Sequence, residues 1–290
     1  ESGANYLFEA SVGGGIPIIR PLCQCLAANY IEGIAGILNG TTNFILTMMI
    51  EKGMSFDEAL KIAQEKGYAE KDPTADVEGY DACRKVCILA SLAFGKHVYP
   101  NQVETEGITN ITLEDVSYIE NAGGVIKLLG QIKYINDNEI AAFVSPAVVY
   151  NGSQLASVKD VFNAILVRGD AVGDVCFYGP GAGKLPTASA VVADIIDCAK
   201  HSERKKIFGW GAGAEDYVVD YKERIEMPFY VRAKATPAEI NAKFSDVKFL
   251  SRKGQPSDEV AFITDIMTEN KLNKKLDGIN VINTIKVTNY

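Results

Sequence analysis

The sequence predicts an α+β fold in which a mixed β-sheet carries helices on one side and a smaller ferredoxin-like βαββαβ unit follows. Two observations lead to this prediction. Between about residues 107 and 180, strand-like segments follow one another through short connections, without the βα alternation of a parallel sheet. From residue 227 onward, strand and helix patterns succeed one another in the order βαββαβ.

The first segment, ANYLFEASVGGGIPIIRPLCQCLA, predicts a strand, a glycine turn and a helix. Tyr6–Phe8 are residue types that favour strands. Gly13–Gly15 allow the backbone to turn with little steric cost, and Pro17 is tolerated near the start of the helix.

The second segment, IEGIAGILNGTTNFILTMMIEKG, repeats this scheme with a short strand, a turn at Asn39-Gly40 and an amphipathic helix that ends at Gly53. A further helix follows in SFDEALKIAQEKG. There Ser55 and Glu58 have the spacing of a capping box, which predicts the start of that helix.

Later segments complete the predicted order of elements. A helix opens at Gly79 and runs to about Phe94, and the segments VIKLLGQIKYI, IAAFVSPAVVY and DVCFYGP predict a mostly antiparallel sheet. A glycine turn then leads into one long helix over residues 186–200. Residues 201–226 are charged and irregular, which is typical of a linker. The predicted domains are therefore residues 1–200 and 227–290.

Composition excludes several classes of protein. The 290 residues are 47% hydrophobic and 23% charged, as in soluble globular proteins. The 29 basic and 37 acidic residues give a net charge of −8, which argues against nucleic acid as a partner. No apolar run is long enough to span a membrane, so a membrane partner is not predicted.

The six cysteines and two histidines do not have the spacing of a metal site. The cysteine spacings are C-x-C and C-x-x-x-C, and His97 and His201 stand far apart in the chain. Because the cysteines lie among apolar neighbours, we expect reduced, buried thiols in a cytoplasmic protein.

An acidic stretch, GYAEKDPTADVEGYDACRK, precedes an apolar helix. Asp81 and Lys85 stand four residues apart and therefore share one helix face. One interpretation is a surface ion pair that contributes about 0.3–0.5 kcal/mol. The other is a site for an ammonium-bearing substrate, because Glu70 and Asp76 arrive from the preceding loop and lysine can act in proton transfer.

Glycine-rich segments allow further interpretations. Glu9, before the first glycine turn, is either a carboxylate at a helix entry or one ligand of a hard cation. GPGAGK at 179–184 lacks the spacing of a phosphate-binding P-loop, although a glycine turn before a helix can still approach a cofactor closely. GWGAGA at 209–214 has no preceding strand, so we predict a flexible loop and no dinucleotide-binding domain.

Four segments together resemble homoserine dehydrogenase: FEASVGGGIPII (8–19), GILNGTTNFILT (36–47), GYAEKDPTADVEGYDACRK (67–85) and GPGAGKLPTASAVVADI (179–195). They occur in the family's order and cover most of residues 5–200. The resemblance implies a catalytic domain that reduces L-aspartate 4-semialdehyde to L-homoserine with NAD(P)H, in the pathway to threonine, methionine and isoleucine. The tail from residue 227 resembles an ACT regulatory domain.

The resemblance also implies roles for individual residues. Lys85 matches the lysine that protonates the carbonyl oxygen, and Asp81 looks like its partner. The implied substrate-binding residues are Glu70, Asp76, Thr41 and Tyr68. The implied cofactor contacts are Gly183 and Gly181. A possible sodium site is implied at Glu9 with the carbonyl groups of Val12, Gly14 and Ile16.

Two departures from the family set further expectations. The family's N-terminal Rossmann domain is absent, so the chain resembles a truncated gene product or a designed fragment that folds but does not transfer hydride alone. The ACT-like tail has Thr236-Pro237-Ala238 in place of a Pro-Gly turn, which places threonine binding in question. We also expect a homodimer. The alternative function is an amino-acid-binding or regulatory module without redox activity.

Overall fold

One continuous sheet runs through the computed structural model, which describes residues 5–201, 203 and 209–290. Among these residues, ten strands form the sheet in the order β6-β5-β1-β3-β4-β12-β8-β10-β9, with β2 paired to β4. Strands β7 and β11 form a separate pair. The strands are β1 (Ile31–Ile37), β2 (Glu104–Thr105), β3 (Gly124–Asn136), β4 (Glu139–Tyr150), β5 (Phe162–Gly169), β6 (Gly173–Pro180), β7 (Glu226–Met227), β8 (Phe229–Lys234), β9 (Val247–Leu250), β10 (Glu259–Thr264), β11 (Met267–Thr268) and β12 (Asn280–Val287).

Helices connect these strands and cover part of the sheet. Short 3₁₀ turns also occur at Glu9–Ser11, Pro100–Gln102 and Gln154–Ser157, and a π-helical turn occurs at Pro21–Cys25. The α-helices are α1 (Gly40–Lys52), α2 (Phe56–Glu65), α3 (Thr74–Val77), α4 (Tyr80–Phe94), α5 (Leu113–Asn121), α6 (Lys184–Lys200), α7 (Tyr221–Arg224), α8 (Pro237–Lys243) and α9 (Glu269–Leu276).

The sheet is mixed, as the sequence predicts. Pairs along its main path are antiparallel, except that β12 runs parallel to β4, with Val287 opposite Val148. The last four strands have the order β12-β8-β10-β9, which is the ferredoxin-like arrangement of a βαββαβ unit. The α+β class is therefore confirmed, and the β4–β12 pair joins the two predicted units into one sheet.

Helices α1, α4 and α5 lie on one face of the sheet. Alternation along the strands places Ile34 and Ile165 on the face that packs against α1 and α4. Ala35 and Ala164 face the opposite side, where their hydrophobic neighbours come from the turn at Gln154–Ser157 and from Tyr290. This packing follows because successive side chains of a strand point to opposite faces of the sheet.

Two local expectations differ from the structure. Tyr6–Phe8 form no strand, and Tyr6 is 78% exposed, because this segment lies outside the sheet and only a short 3₁₀ turn follows it. Strand β5, which the sequence analysis does not identify, pairs with both β1 and β6. Its eight residues form a short apolar run, whose secondary structure periodicity alone does not decide.

Part of the predicted linker lies against the larger unit, although Gly209, Gly211 and Glu215 are exposed. Residues 202 and 204–208 lie outside the described part. Gly211 forms a bridge with Lys96, and Tyr217 and Tyr221 are buried. Ile140 N–H donates to the carbonyl of Tyr217 at 3.0 Å. Residues 209–225 therefore lie against the larger unit, including the region predicted to be a flexible loop, and the division into domains stays a prediction.

Helix α6 presents an apolar face to solvent. Val191, Val192 and Ile195 are 44%, 50% and 62% exposed. Large apolar side chains grouped on one exposed helix face are typical of a surface that another protein segment covers. Across the part of the chain that the structure describes, no helix combines the length and the apolarity needed to cross a membrane.

Candidate active site

The site forms where the first turn of α1 meets the first turn of α4. Asn39 is the N-cap of α1, and its side-chain oxygen accepts the Thr42 N–H at 2.9 Å. The other end of the same amide donates to Asp76 at 2.7 Å and to Asp81 at 2.9 Å. One asparagine therefore starts a helix and holds two carboxylates together.

Lys85 lies one turn after Asp81 on the same face of α4. Its ammonium donates to Asp81 Oδ2 at 2.7 Å and to the carbonyl of Leu38 at 2.8 Å. The two side chains are 19% and 30% exposed, so the pair is partly shielded from bulk water. The third ammonium hydrogen is left to face a ligand.

Asp76 is half-buried beside this pair. Burial raises the pKa of the Asp76 carboxyl above its usual range, and the neighbouring Asp81 carboxylate adds to the rise. Hydrogen bonds from Asn39 and Thr41 and the charge of Lys85 oppose the rise without cancelling it. A ligand cation placed here would favour the charged form of both acids.

Thr41 and Tyr68 join the site through the backbone. Thr41 Oγ1 donates to the carbonyl of Tyr68 at 2.7 Å, and the Tyr68 ring packs edge-on against Phe44 with 5.1 Å between ring centroids. These contacts hold the loop before α3 over α1. The Tyr68 side chain is 43% exposed and is free to contact a ligand.

Glu70 is not brought into the cluster. Its side chain is exposed, and within the described residues its carboxylate forms no hydrogen bond or ion pair. Its backbone carbonyl accepts from the Gln64 side chain at 3.1 Å. The role predicted for Glu70 in substrate binding therefore remains a prediction, whereas Asp76, Asp81, Lys85 and Thr41 are assembled in one place.

Glu9 has a structural role that the sequence left open. Its buried carboxylate accepts the N–H groups of Ile18, Ile19 and Arg20 at 2.7, 2.8 and 3.0 Å. Asp194 in α6 accepts the Glu9 N–H at 2.9 Å and forms an ion pair with Arg20. This geometry is that of a carboxylate at a helix entry. The sodium site implied at Glu9, Val12, Gly14 and Ile16 remains a prediction.

The two glycine turns lie against each other. A Cβ on Gly14 would stand 2.3 Å from the carbonyl oxygen of Gly181, and the Gly15 N–H donates to Pro180 at 3.1 Å. Gly183 caps α6 with φ of +121°, a conformation that side chains disfavour. Val12 and Ile16 are buried beneath the first turn. The two turns are therefore in close contact, which a residue without a side chain allows.

Two of the assembled residues have no predicted role. The sequence identifies Asn39 only as a turn residue, and Asp194 only as part of a long helix. Asn39 stands 37 and 42 residues from its two carboxylate partners, so no local signal reveals the bridge. The sequence signal that could have identified Asn39 is its position as the N-cap residue immediately before the GTTNF segment.

The carboxylates of Asp76 and Asp81 could bind a small cation, and the Lys85 ammonium beside them could donate a proton. Two carboxylates and one ammonium lie within hydrogen-bonding reach of Asn39 or of each other. Within residues 5–201, 203 and 209–290, no group of three His, Cys, Asp or Glu side chains is placed to hold a metal ion. An ammonium group is the ligand cation that this hydrogen-bonded arrangement suits.

The chain is similar to known proteins in sequence. A family model described as homoserine dehydrogenase matches residues 17–196. A homoserine dehydrogenase of Synechocystis sp. is 50% identical over 200 residues, which make up 68% of this chain and 46% of that protein. The chain spans about half the length of the curated relatives it matches.

Solved structures agree with this likeness. The crystal structure of a homoserine dehydrogenase from Thiobacillus denitrificans has a TM-score of 0.85 at 38% identity, covering 97% of this chain and 69% of that chain. A hyperthermophilic archaeal homoserine dehydrogenase in complex with NADPH has a TM-score of 0.57 at 31% identity, covering 68% of this chain and 56% of that chain.

Proposed function

The chain belongs to the homoserine dehydrogenase family, and we propose that its cluster at Asp76, Asp81 and Lys85 binds the substrate of that reaction. In the complete enzyme, NAD(P)H would reduce L-aspartate 4-semialdehyde to L-homoserine. The observation that carries this proposal is the bridge from Asn39 to both carboxylates, with Lys85 bonded to one of them. It supports the proposal because it brings two carboxylates and one ammonium together.

Lys85 is the proposed proton donor. Reduction of an aldehyde adds one hydride to its carbon and one proton to its oxygen. The Lys85 ammonium bonds to Asp81 and to the carbonyl of Leu38, which orients the remaining N–H. Asp81 stabilises the charged ammonium before transfer, and Asp76 supplies negative charge for the amino group of the substrate.

The glycine turns fit the cofactor. Gly181 and Gly183 are the proposed nicotinamide contacts, as the family resemblance implies, and Gly183 stands at the N-cap of α6 with φ of +121°. NAD(P)H, when bound, supplies the hydride. A solved family member is in complex with NADPH, which supports this assignment. A sodium site at Glu9, Val12, Gly14 and Ile16 stays a prediction from the family resemblance, and the proposed reaction does not depend on it.

The 290-residue chain alone is proposed to bind substrate without transferring hydride. It spans 46% of its Synechocystis relative, it contains no dinucleotide fingerprint, and α6 exposes the apolar side chains of Val191, Val192 and Ile195. A homodimer, a cytoplasmic location and threonine binding by the C-terminal unit remain predictions from the sequence.

Calorimetry and an activity assay test the proposal together. We expect L-homoserine to bind the chain saturably, and Asp81→Asn to weaken that binding by about tenfold. An assay with NADPH and the semialdehyde should show no turnover by the chain. Saturable binding without turnover supports the proposal, whereas absence of binding to a folded chain contradicts it and favours a module with another function.

The role of Lys85 is tested in a full-length family member that carries the same acidic segment. There Lys85→Met should lower kcat by about 10² or more, the contribution of a positioned general acid. Arg84→Met is the matched control, because Arg84 is exposed on the same helix and, among the described residues, forms no hydrogen bond or ion pair with the cluster. If both substitutions leave kcat within a fewfold of the parent, Lys85 is not the proton donor.

A further inference from the structure

A cavity lies on the face of the sheet opposite α1 and α4, apart from the cluster at Asp76. It has a volume of about 280 Å³ and lies where the larger unit meets the C-terminal unit. Strand β3 contributes Gln131 and Lys133, while Met227 and Val287 come from the C-terminal part of the chain. The proposed reaction uses none of these residues.

Gln131 supplies a polar group without a partner. Its side chain is 2% exposed, and within the described residues its amide nitrogen has no hydrogen-bond partner. A buried amide group left unpaired costs about 1–3 kcal/mol. Because the unpartnered atom is the amide nitrogen, Gln131 can offer the cavity a donor.

Lys133 supplies a charge that no carboxylate neutralises. Within the described part of the chain it forms no ion pair, and its ammonium lies 5.8 Å from the centroid of the Tyr290 ring. The guanidinium of Arg168 lies over the same ring but is bound to Asp174 at 2.6 Å. Burial lowers the pKa of Lys133, with the charge of Arg168 as a second cause. An anion bound next to Lys133 would stabilise its charged form against both burial and the charge of Arg168.

The walls of the cavity are apolar. Met227 and Val287 are 7% and 3% exposed, and at the rim Ile266 and Tyr150 are 63% and 38% exposed. Glu226 also lines the cavity and is exposed. A ligand with a hydrocarbon body would cover the rim residues and leave Glu226 in water.

We propose that this cavity binds a small carboxylic acid with an aliphatic body, the carboxylate held by Gln131 and Lys133. The two residues stand two apart on β3, so both side chains leave the same face of the sheet about 7 Å apart along the strand. One carboxylate can accept from both donors. The volume accommodates about ten non-hydrogen atoms, which is the size of octanoate.

Titration of the 290-residue chain with octanoate and with octanamide tests the proposal. The two probes have the same length and differ in the charge that Lys133 would recognise. By calorimetry we expect one site, at which octanoate binds about tenfold more tightly than octanamide. Equal affinity for the two probes, or no saturable binding of octanoate, would overturn the proposal.

Variants identify the residues responsible. Lys133→Met should abolish the preference for octanoate, and Gln131→Leu should weaken octanoate binding. Lys248→Met is the matched control, because Lys248 is exposed on β9 and outside the cavity, and it should preserve the preference. If Lys133→Met still binds octanoate more tightly than octanamide, the carboxylate does not bind at Lys133. If Lys133→Met fails to fold, the comparison of acid with amide on the unmodified chain still decides the outcome.

Discussion

Lys127 makes the stability of this protein depend on pH in the alkaline range. The side chain is 2% exposed, and its ammonium donates to Asn43 Oδ1 at 3.0 Å and to the carbonyl of Val158. Within the described residues no carboxylate pairs with it. Burial lowers the pKa of Lys127 to about 8, and the charge of Lys159 contributes in the same direction.

The size of the effect follows from the linkage between proton binding and folding. Between an ordinary pKa of 10.5 and a folded-state pKa of about 8, the unfolded chain holds a proton that the folded chain has released. The free energy of unfolding therefore rises with pH across this interval. The full difference corresponds to about 3 kcal/mol, and the rise between pH 7 and pH 9.5 to about 2 kcal/mol. Below pH 7 the contribution of Lys127 is constant.

Urea unfolding at a series of pH values measures this effect. Fluorescence of Trp210, which donates to His97 and packs on Phe8, reports loss of structure. The parent chain is compared with Lys127→Met, and the difference between the two curves isolates this lysine. Lys133, whose pKa burial also lowers, contributes equally to both curves.

The result that refutes this reasoning is a flat difference curve. If the free energies of unfolding of the parent and of Lys127→Met run parallel from pH 7 to pH 9.5, within about 0.5 kcal/mol, burial does not perturb this lysine. Lys61→Met, at an exposed position in α2, is the control and should keep the slope of the parent. Lys127→Gln retains a donor for Asn43 and replaces the Met variant if that variant does not fold.

Three further predictions concern the site and its support. Burial raises the pKa of Asp76, so the charged carboxylate destabilises the folded chain at neutral pH. Asp76→Asn should therefore increase the free energy of unfolding at neutral pH and weaken L-homoserine binding. If calorimetry finds unchanged affinity, Asp76 is not a substrate ligand. Glu9→Ala leaves three backbone N–H groups without an acceptor and should destabilise the chain by about 3 kcal/mol in urea, whereas Glu9→Gln should recover part of this loss. Gly14→Ala places a Cβ 2.3 Å from the carbonyl oxygen of Gly181 and should lower the thermal midpoint of unfolding. Gly53→Ala is the control and should lower it much less, because φ is also positive there but nothing lies within 4 Å of the added Cβ. Equal effects would show that the close contact is unimportant.

Elements with strong local signals are predictable from this sequence. The capping box of Ser55 and Glu58 begins α2 as expected, and Gly79 precedes α4, which ends at Phe94. The pairing of Asp81 with Lys85 also follows from helical spacing. These features depend on neighbours within a few residues, so the residue pattern is enough.

Contacts between distant residues are not predictable in this way. The sequence left two roles open for Glu9, and the choice depends on where the chain returns at Ile18 and where α6 places Asp194. Strand β5 is stabilised by pairing on both edges, which a short apolar run does not reveal. The packing of Tyr217 and Tyr221 likewise depends on surfaces formed elsewhere.

The sequence by itself determined the α+β class, the family and the group of acids before α4, because periodicity, capping and motif order are local properties of the chain. Only the tertiary structure decided that Asn39 joins Asp76 to Asp81, and that Glu9 is bound by backbone N–H groups. Hydrogen bonds across 37 or more residues exist only after the sheet has brought two helix ends together, and packing rather than local preference sets that geometry.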